Sequence, residues 1–297
     1  TLRETRGFGI DWKREKTQVE AESKRGFDGR FGPGLPAISD GQMLFMLNGI
    51  KKLKEGSGRM AIIQNGSSLF TGDAGSGASE IRRYVIKGDL VEAIIQLPTD
   101  LFYNTGISTY IWVLTKGKAM HRSGKVQLID ASKCFVKRRK NIGSKRVDLN
   151  DACIDLILRA YKGFMDETYE ENGLIVESKV FENSFFGFTK VTVETAQADE
   201  KGNPILKKGK KQPVKGASDT EIIPLSEDMD TYMEKNVLPY NPLAYIDPAK
   251  DKIGYEVPFT RLFYKFVAPE SSDSIFEDIK ALEAEETILM KELFGHA

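Results

Sequence analysis

The chain has 297 residues, 40% of them hydrophobic and 29% charged, with Lys+Arg and Asp+Glu balanced at 43 each. This length and apolar content suit one large domain or two smaller ones, and the zero net charge leaves any nucleic-acid or membrane contact to local patches. Two cysteines (Cys134, Cys153) and two histidines (His121, His296) lack metal or redox spacing, so no metal and no histidine-dependent triad is expected. No apolar run approaches the ~20 residues of a membrane span, no signal-peptide pattern opens the chain, and a reducing cytoplasm is the expected setting.

In chain order, the opening TRGFGIDWKRE carries an aromatic-glycine pair, Phe8-Gly9, with no apolar strand before it. Residues 26–41, GFDGRFGPGLPAISDG, are dense in Gly and Pro and read as a long, exposed, mobile loop. Ser39 and Gln42 have capping-box spacing ahead of a buried helix marked by Met43, Leu44, Leu47, Ile50 and Leu53. GRMAIIQNG predicts an inner strand that turns sharply at Asn65-Gly66. A second glycine-rich loop, FTGDAGSGASE, leads into a helix with Ile81, Val85 and Ile86 inward and Gly88 as terminator. That loop lacks the Lys-Ser/Thr of a P-loop, so a helix cap is the better reading than a phosphate cradle.

LVEAIIQLP, TYIWVLTKG and KVQLID follow as three strands, the last two forming an antiparallel edge, so half of a doubly wound α/β domain is visible. After about Ala131 the character changes. KCFVKRRKNIGSKR holds Lys133, Lys137, Arg138, Arg139, Lys140, Lys145 and Arg146 without one acid. A helix stripe at Leu149, Cys153, Leu156, Ala160 and Phe164 comes next, then two short strands in residues 178–195 and a lysine-rich hairpin or loop in residues 199–216. Ser274 and Glu277 have capping-box spacing at the start of a last helix, whose apolar stripe predicts a partner helix.

The segments FGIDW, RGFDGRFGPGLPAISDG, GRMAIIQNGSSLFTGDAGSGASEIRRYVI, EAIIQLPTDLFYNTGISTYIWVLTK and VLPYNPLAYIDPAKDKIGYEVPFTRLFYKF resemble the modification subunit of type I restriction-modification systems. That family comprises adenine-N6 DNA methyltransferases. The resemblance implies an α/β fold: the C-terminal half of a Rossmann-like class I methyltransferase sheet, followed by a mixed tail ending in a long helix. Residues 1–130 would be a partial catalytic domain, 131–270 the tail, and 271–297 a helix for subunit docking. The implied cofactor is S-adenosylmethionine, whose binding half would precede residue 1, so the chain by itself is not expected to bind it. The implied partners are a specificity subunit, a restriction subunit and double-stranded DNA, with no membrane.

By the same resemblance, Phe8 and Gly9 occupy the last places of an Asn-Pro-Pro-Phe-Gly motif. There the Asn oxygen and a Pro carbonyl accept hydrogen bonds from the adenine amino group, and Phe8 would stack on a flipped adenine. Here Thr5, Arg6 and Gly7 stand where Asn, Pro and Pro belong: the Asn side-chain acceptor is lost, while a backbone carbonyl survives at the first Pro position, its placement dependent on a preceding strand. Phe102 and Tyr103 are further base-contact candidates, with core packing as their plain alternative. Asp11, Asn65 and Gly66 are cleft candidates, against a helix start and a simple turn. Lys137, Arg138, Arg139, Lys140, Lys145 and Arg146 are candidates for the DNA backbone, against a solvated face. Ile275, Ile279, Leu282, Leu289 and Leu293 would dock the specificity subunit, with packing on the chain's own domain as the rival. Two functions stay open: the methyltransferase subunit itself, and a non-catalytic remnant that binds DNA or the specificity subunit.

Overall fold

A computed structural model describes residues 3–4, 10–266 and 268–295. The chain divides into two units, Thr1–Phe259 and Thr260–Ala297. The first begins with β1 (Arg3–Glu4), β2 (Ile10–Asp11), α1 (Lys16–Lys24) and α2 (Gln42–Lys52). It continues through β3 (Arg59–Asn65), α3 (Ser67–Phe70), α4 (Gly77–Lys87), β4 (Val91–Gln96), β5 (Thr109–Thr115) and β6 (Lys125–Asp130). A hairpin follows, β7 (Val136–Ile142) and β8 (Lys145–Asp148), then α5 (Asp151–Gly163), β9 (Glu167–Glu171) and β10 (Leu174–Glu182).

β3, β5, β4, β6, β10 and β9 form one 6-stranded sheet in that order. β5 is antiparallel to both β3 and β4, and β4 is parallel to β6. The predicted β5–β6 edge pair is therefore replaced by β5 lying between β3 and β4. Trp112 on β5 is fully buried and donates from Nε1 to Ser68 Oγ at 3.1 Å, which puts α3 on that face. Its neighbours Ile111 and Val113 point the other way, as strand alternation requires, and pack with α5. The expected stripe of α5 is largely present: Cys153, Leu156 and Ala160 are buried, with Ile157 beside them, against Ile95, Ile129 and Val176 of the sheet. The sheet thus takes in chain on both sides of Ala131.

β3 differs from the expectation of an inner strand. Among the described residues it pairs with β5 alone, and Ile63, on the α5 face, is 43% exposed. An apolar run looks the same in sequence at a sheet edge and at its centre.

At residues 183–186 the chain turns from β10 into β11 (Gly187–Ala196), and so passes from the first sheet into a second. β12 (Leu206–Lys207) and β13 (Lys210–Lys211) form the lysine-rich hairpin, and β14 (Pro213–Pro224) returns along β11. Lys208 (φ 50°) and Gly209 (φ 75°) make its two-residue turn, where both central residues need positive φ. α6 (Met229–Asn236), β15 (Ala244–Ile246) and β16 (Lys252–Tyr255) complete that layer, and α7 (Phe259–Phe263) follows.

The second unit contains α8 (Ser272–Phe294), all of whose residues are exposed. Its N-cap is Ser271, whose side chain accepts from Ser274 N, one turn ahead of the expected Ser274 cap. No helix of the described residues is long and apolar enough to cross a membrane.

Candidate functional site

β3, β4 and β6 run the same way, and the register aligns their carboxyl ends: Asn65 faces Thr109, while Gln96 pairs with Tyr110 on one side and Asp130 on the other. In open α/β sheets ligands bind in the crevice beyond such ends. Three candidate groups far apart in sequence lie at these ends: the Asn65-Gly66 turn after β3, the Phe102-Tyr103 loop after β4, and the basic hairpin after β6.

The turn is held by a polar network. Gln42 Nε2 donates to Asn65 Oδ1 at 2.7 Å and to Asp40 Oδ2 at 2.9 Å, while its Oε1 accepts from Asn65 N at 3.0 Å. Ser67 Oγ donates to Asp40 Oδ2 at 2.6 Å. The expected capping box at Ser39 is therefore not used: α2 starts behind Gly41, with no side-chain cap, and the Gln42 amide reaches across to β3. A backbone-directed Gln at a helix start has the sequence spacing of a capping box, but its partner lies 23 residues on.

The Phe102-Tyr103 loop and the hairpin are joined through backbone. Ser144 N donates to Tyr103 O at 2.9 Å, and Arg146 N to Asp100 O at 2.8 Å. Lys145 Nζ lies 5.4 Å from the centre of the Tyr103 ring, which is 62% exposed. Phe102 is half-buried and bridges Thr105. The core alternative thus fits Phe102 better than Tyr103.

Within the hairpin the cations divide into two sets. Arg138 pairs with Asp148, and Lys145 Nζ is 2.9 Å from Asp148 Oδ1. These bonds, Lys145's first, hold the Asp148 carboxyl below the usual carboxylate range. Lys137, Arg139, Lys140 and Arg146 are exposed and make no ion pair among the described residues. The ladder pairs Lys137 with Val147 and then Ile142 with Lys145, so residues 138–141 bulge opposite Arg146. A bulge re-aims side chains, and here it crowds the cations.

Asp11 serves a local turn: its Oδ1 accepts from Lys13 N at 3.3 Å. Its neighbour Trp12 is buried and ties down the loop before Asp40, with its backbone N donating to Ile38 O at 3.1 Å and its Nε1 to Ala37 O at 3.0 Å. The 26–41 loop is accordingly anchored at points such as buried Phe31, while Phe27, Asp28, Arg30 and residues 37–39 are exposed, as its Gly and Pro content predicts. Phe8 and Gly9 lie outside the described residues.

The second glycine-rich loop is filled. The loop does cap α4, through Ser76, and a Cβ on Gly77 would collide with the Leu35 carbonyl, so only glycine allows the two loops this approach. Gly75 N donates to Ile253 O at 3.1 Å, and Tyr255 N to Ser79 Oγ at 3.0 Å. Buried Arg82 donates to the carbonyls of Tyr255, Ser68 and Thr71, and burial pulls its pKa down to about 10. Sequence reading missed Arg82, because nothing distinguishes it from the neighbouring Arg83. With backbone of residues 35 and 253–255 in this space, the loop does not fit S-adenosylmethionine.

Residues 6–201 match the profile of the N-6 DNA Methylase family. The chain belongs to this family. The chain shares 32% identity over 164 residues with the type I restriction enzyme MjaIX methylase subunit of Methanocaldococcus jannaschii, covering 54% of this chain and 26% of that protein. It shares 28% over 185 residues with the HindI methylase subunit of Haemophilus influenzae, covering 61% and 40%. A type I methyltransferase subunit from Streptococcus thermophilus overlaps 55% of this chain and 31% of its own, at 30% identity and a TM-score of 0.46. The chain therefore spans less than half the length of these relatives.

Proposed function

We propose that this chain is the DNA-facing and partner-facing part of a type I modification subunit, acting in adenine-N6 methylation with S-adenosylmethionine as donor. The observation that carries this reading is the convergence, in a chain of the N-6 DNA methylase family, of the Asn65 turn, the Tyr103 loop and the basic hairpin at the carboxyl ends of β3, β4 and β6. The open edge of β3 supports the finer fold reading, the C-terminal half of a Rossmann-like sheet that takes a further strand beside Ile62 and Ile63. The donor is then held by residues other than the two filled glycine-rich loops. Asn65 and Gly66 border the crevice, Phe8 stacks on the adenine, and Thr5 leaves the amino group without its Asn acceptor. In the second unit, Ile275, Ile279, Leu282, Leu289 and Leu293 are each at least 45% exposed, which supports docking of a specificity subunit's helices.

The alternative, a non-catalytic binding module, rests on Thr5-Arg6-Gly7 in place of Asn-Pro-Pro. One set of experiments addresses both. The full chain should copurify with a tagged specificity subunit of its system and raise that subunit's affinity for adenine-containing duplex. Failure of both would overturn the proposal. Tritium passing from labelled S-adenosylmethionine to adenine N6, above a no-protein control, would reject the non-catalytic alternative.

A further inference from the structure

Seven of the chain's basic residues fall at positions 133, 137–140, 145 and 146, against the single acid Asp148 up to the end of β8, in a chain whose total charge is zero. A solvated charged face ordinarily mixes signs or lies on a regular strand or helix. This one does neither. The strand bulges where the cations are densest, and the one carboxylate is spent on Arg138 and Lys145. Lys137, Arg139, Lys140 and Arg146 are left exposed without a counter-charge among the described residues. The hairpin does not hang free: backbone hydrogen bonds from Ser144, Arg146 and Val147 fix it to residues 100 and 103, so its cations are held in one register with the exposed Tyr103 ring.

We propose that residues 100–107 and 136–148 form a single DNA-binding unit, in which Lys137, Arg139, Lys140 and Arg146 hold phosphates of duplex DNA and Tyr103 offers its ring to an unpaired base. This deepens, and rests on, the methylase reading. Asp148 acts as the internal counter-ion: it turns Arg138 and Lys145 into struts of the hairpin, which leaves the other four for the backbone. Phosphate contacts of this kind position the duplex and carry no sequence information. The ring supplies a different term, since every base has a face to stack and only an unstacked one can use it. The unit therefore recognises a charged duplex with one base out of its stack, while sequence choice lies elsewhere.

The test uses the full chain and fluorescently labelled duplexes, one fully paired and one with a single bulged 2-aminopurine. Replacing Lys137, Arg139, Lys140 and Arg146 together by Gln should weaken both duplexes about tenfold or more, and make the log-affinity against log-salt slope shallower by roughly three to four. The Lys-to-Arg and Arg-to-Lys exchange at the same positions should keep wild-type affinity, because charge is what these sites supply. Tyr103→Ala should weaken the bulged duplex by about tenfold, spare the paired one, and relieve the quenching of 2-aminopurine. Melting temperature serves as the fold control for all variants, and a Gln variant that melts early is judged against the charge-keeping exchange. Wild-type binding with an unchanged slope in the Gln variant would overturn this inference and leave the methylase reading standing. A wild-type chain with no affinity for duplex DNA at low salt would overturn this inference and the DNA-facing role together.

Discussion

The two ends of the central sheet use the same residue types and put them to opposite use. At the amino ends, Arg59 opens β3, Glu92 is the second residue of β4, and Arg122 lies three residues before the start of β6. Arg59 Nε donates to Glu92 Oε2 at 3.0 Å and its Nη2 to Tyr161 OH at 2.7 Å. Arg122 is buried, lies 4.5 Å from the Tyr161 ring centre and donates to Gln127 Oε1 at 3.1 Å. Gln127 donates onward to Ala160 O at 2.8 Å and Ser178 Oγ at 2.9 Å. Burial alone would raise Glu92, but hydrogen bonds from Arg59 and Tyr161 and the charges of Arg59 and Arg122 hold its carboxyl below the usual range. Every charge there has a protein partner. At the carboxyl ends four cations face solvent with no ion pair among the described residues, and the Tyr103 ring, with Lys145 beside it, stays 62% exposed. A cluster that satisfies itself is part of the scaffold; one left open at the mouth of an α/β sheet is available to a ligand.

Glu92→Gln breaks this contrast most sharply. It keeps the side chain's size but leaves Arg122 buried without its counter-charge, a loss of the kind that costs roughly 3–5 kcal/mol. The lower end of that range is expected, because Arg59 is half-exposed and can turn to water. Denaturant unfolding should show it, with DNA affinity of the folded protein unchanged. A loss of less than about 1 kcal/mol, or a DNA defect in the folded variant, would mean that the two ends are not separate in role.

Gln42→Ala tests the part of the carboxyl end that is closed. It removes the acceptor of Asn65 N and the donor to Asp40 and Asn65, all in a largely buried position, and should cost about 1–3 kcal/mol. Loss of the network should also loosen the Asn65-Gly66 turn, visible as faster amide exchange at Ser67, whose N–H bonds Asn65 Oδ1 at 2.9 Å. Protection at Ser67 equal to wild type would show that the turn is set by its backbone alone.

Much of the sheet was legible because β4, β5 and β6 are β-branched, apolar runs, and α4 carries both its stripe and its terminating glycine. The order of strands was not, since the same runs fit several orders and only the register tells that β5 enters between β3 and β4. The hairpin was hidden for a different reason. Its charged residues lack the alternation of a half-buried strand, and its irregular ladder breaks what pattern remains. The candidate residues of the carboxyl end could each be picked from residue type. Their meeting could not, because Ser144 and Arg146 reach the Tyr103 loop through main-chain N–H groups that any sequence possesses. Asp148 was missed as well: one acid at the end of a basic run reads as an exception, and its two salt bridges appear only when the hairpin folds back.

The smallest expected effect concerns that acid. The folded pKa of Asp148 lies below its unfolded value, about 3.9 for a free Asp, so the carboxylate contributes stability that is fully present above that pH. The contribution is lost as pH falls through the lower, folded pKa, when protonation releases Lys145 and Arg138. Asp148 is partly exposed and its pairs are screened by solvent, so global stability should barely register the change, and a local probe is needed. Lys145 lies over the Tyr103 ring, so ring resonances of Tyr103 should shift with a midpoint below pH 4 and become insensitive to acid in Asp148→Asn. The same variant should bind duplex DNA slightly more tightly at neutral pH, with a steeper salt dependence, because two cations are freed and one negative charge is removed. A weaker complex would instead mean that the hairpin's shape, which Asp148 maintains, matters more than its count of free charges; the cations would then have to be held in place to act, as the paired arginines at the other end of the sheet already are.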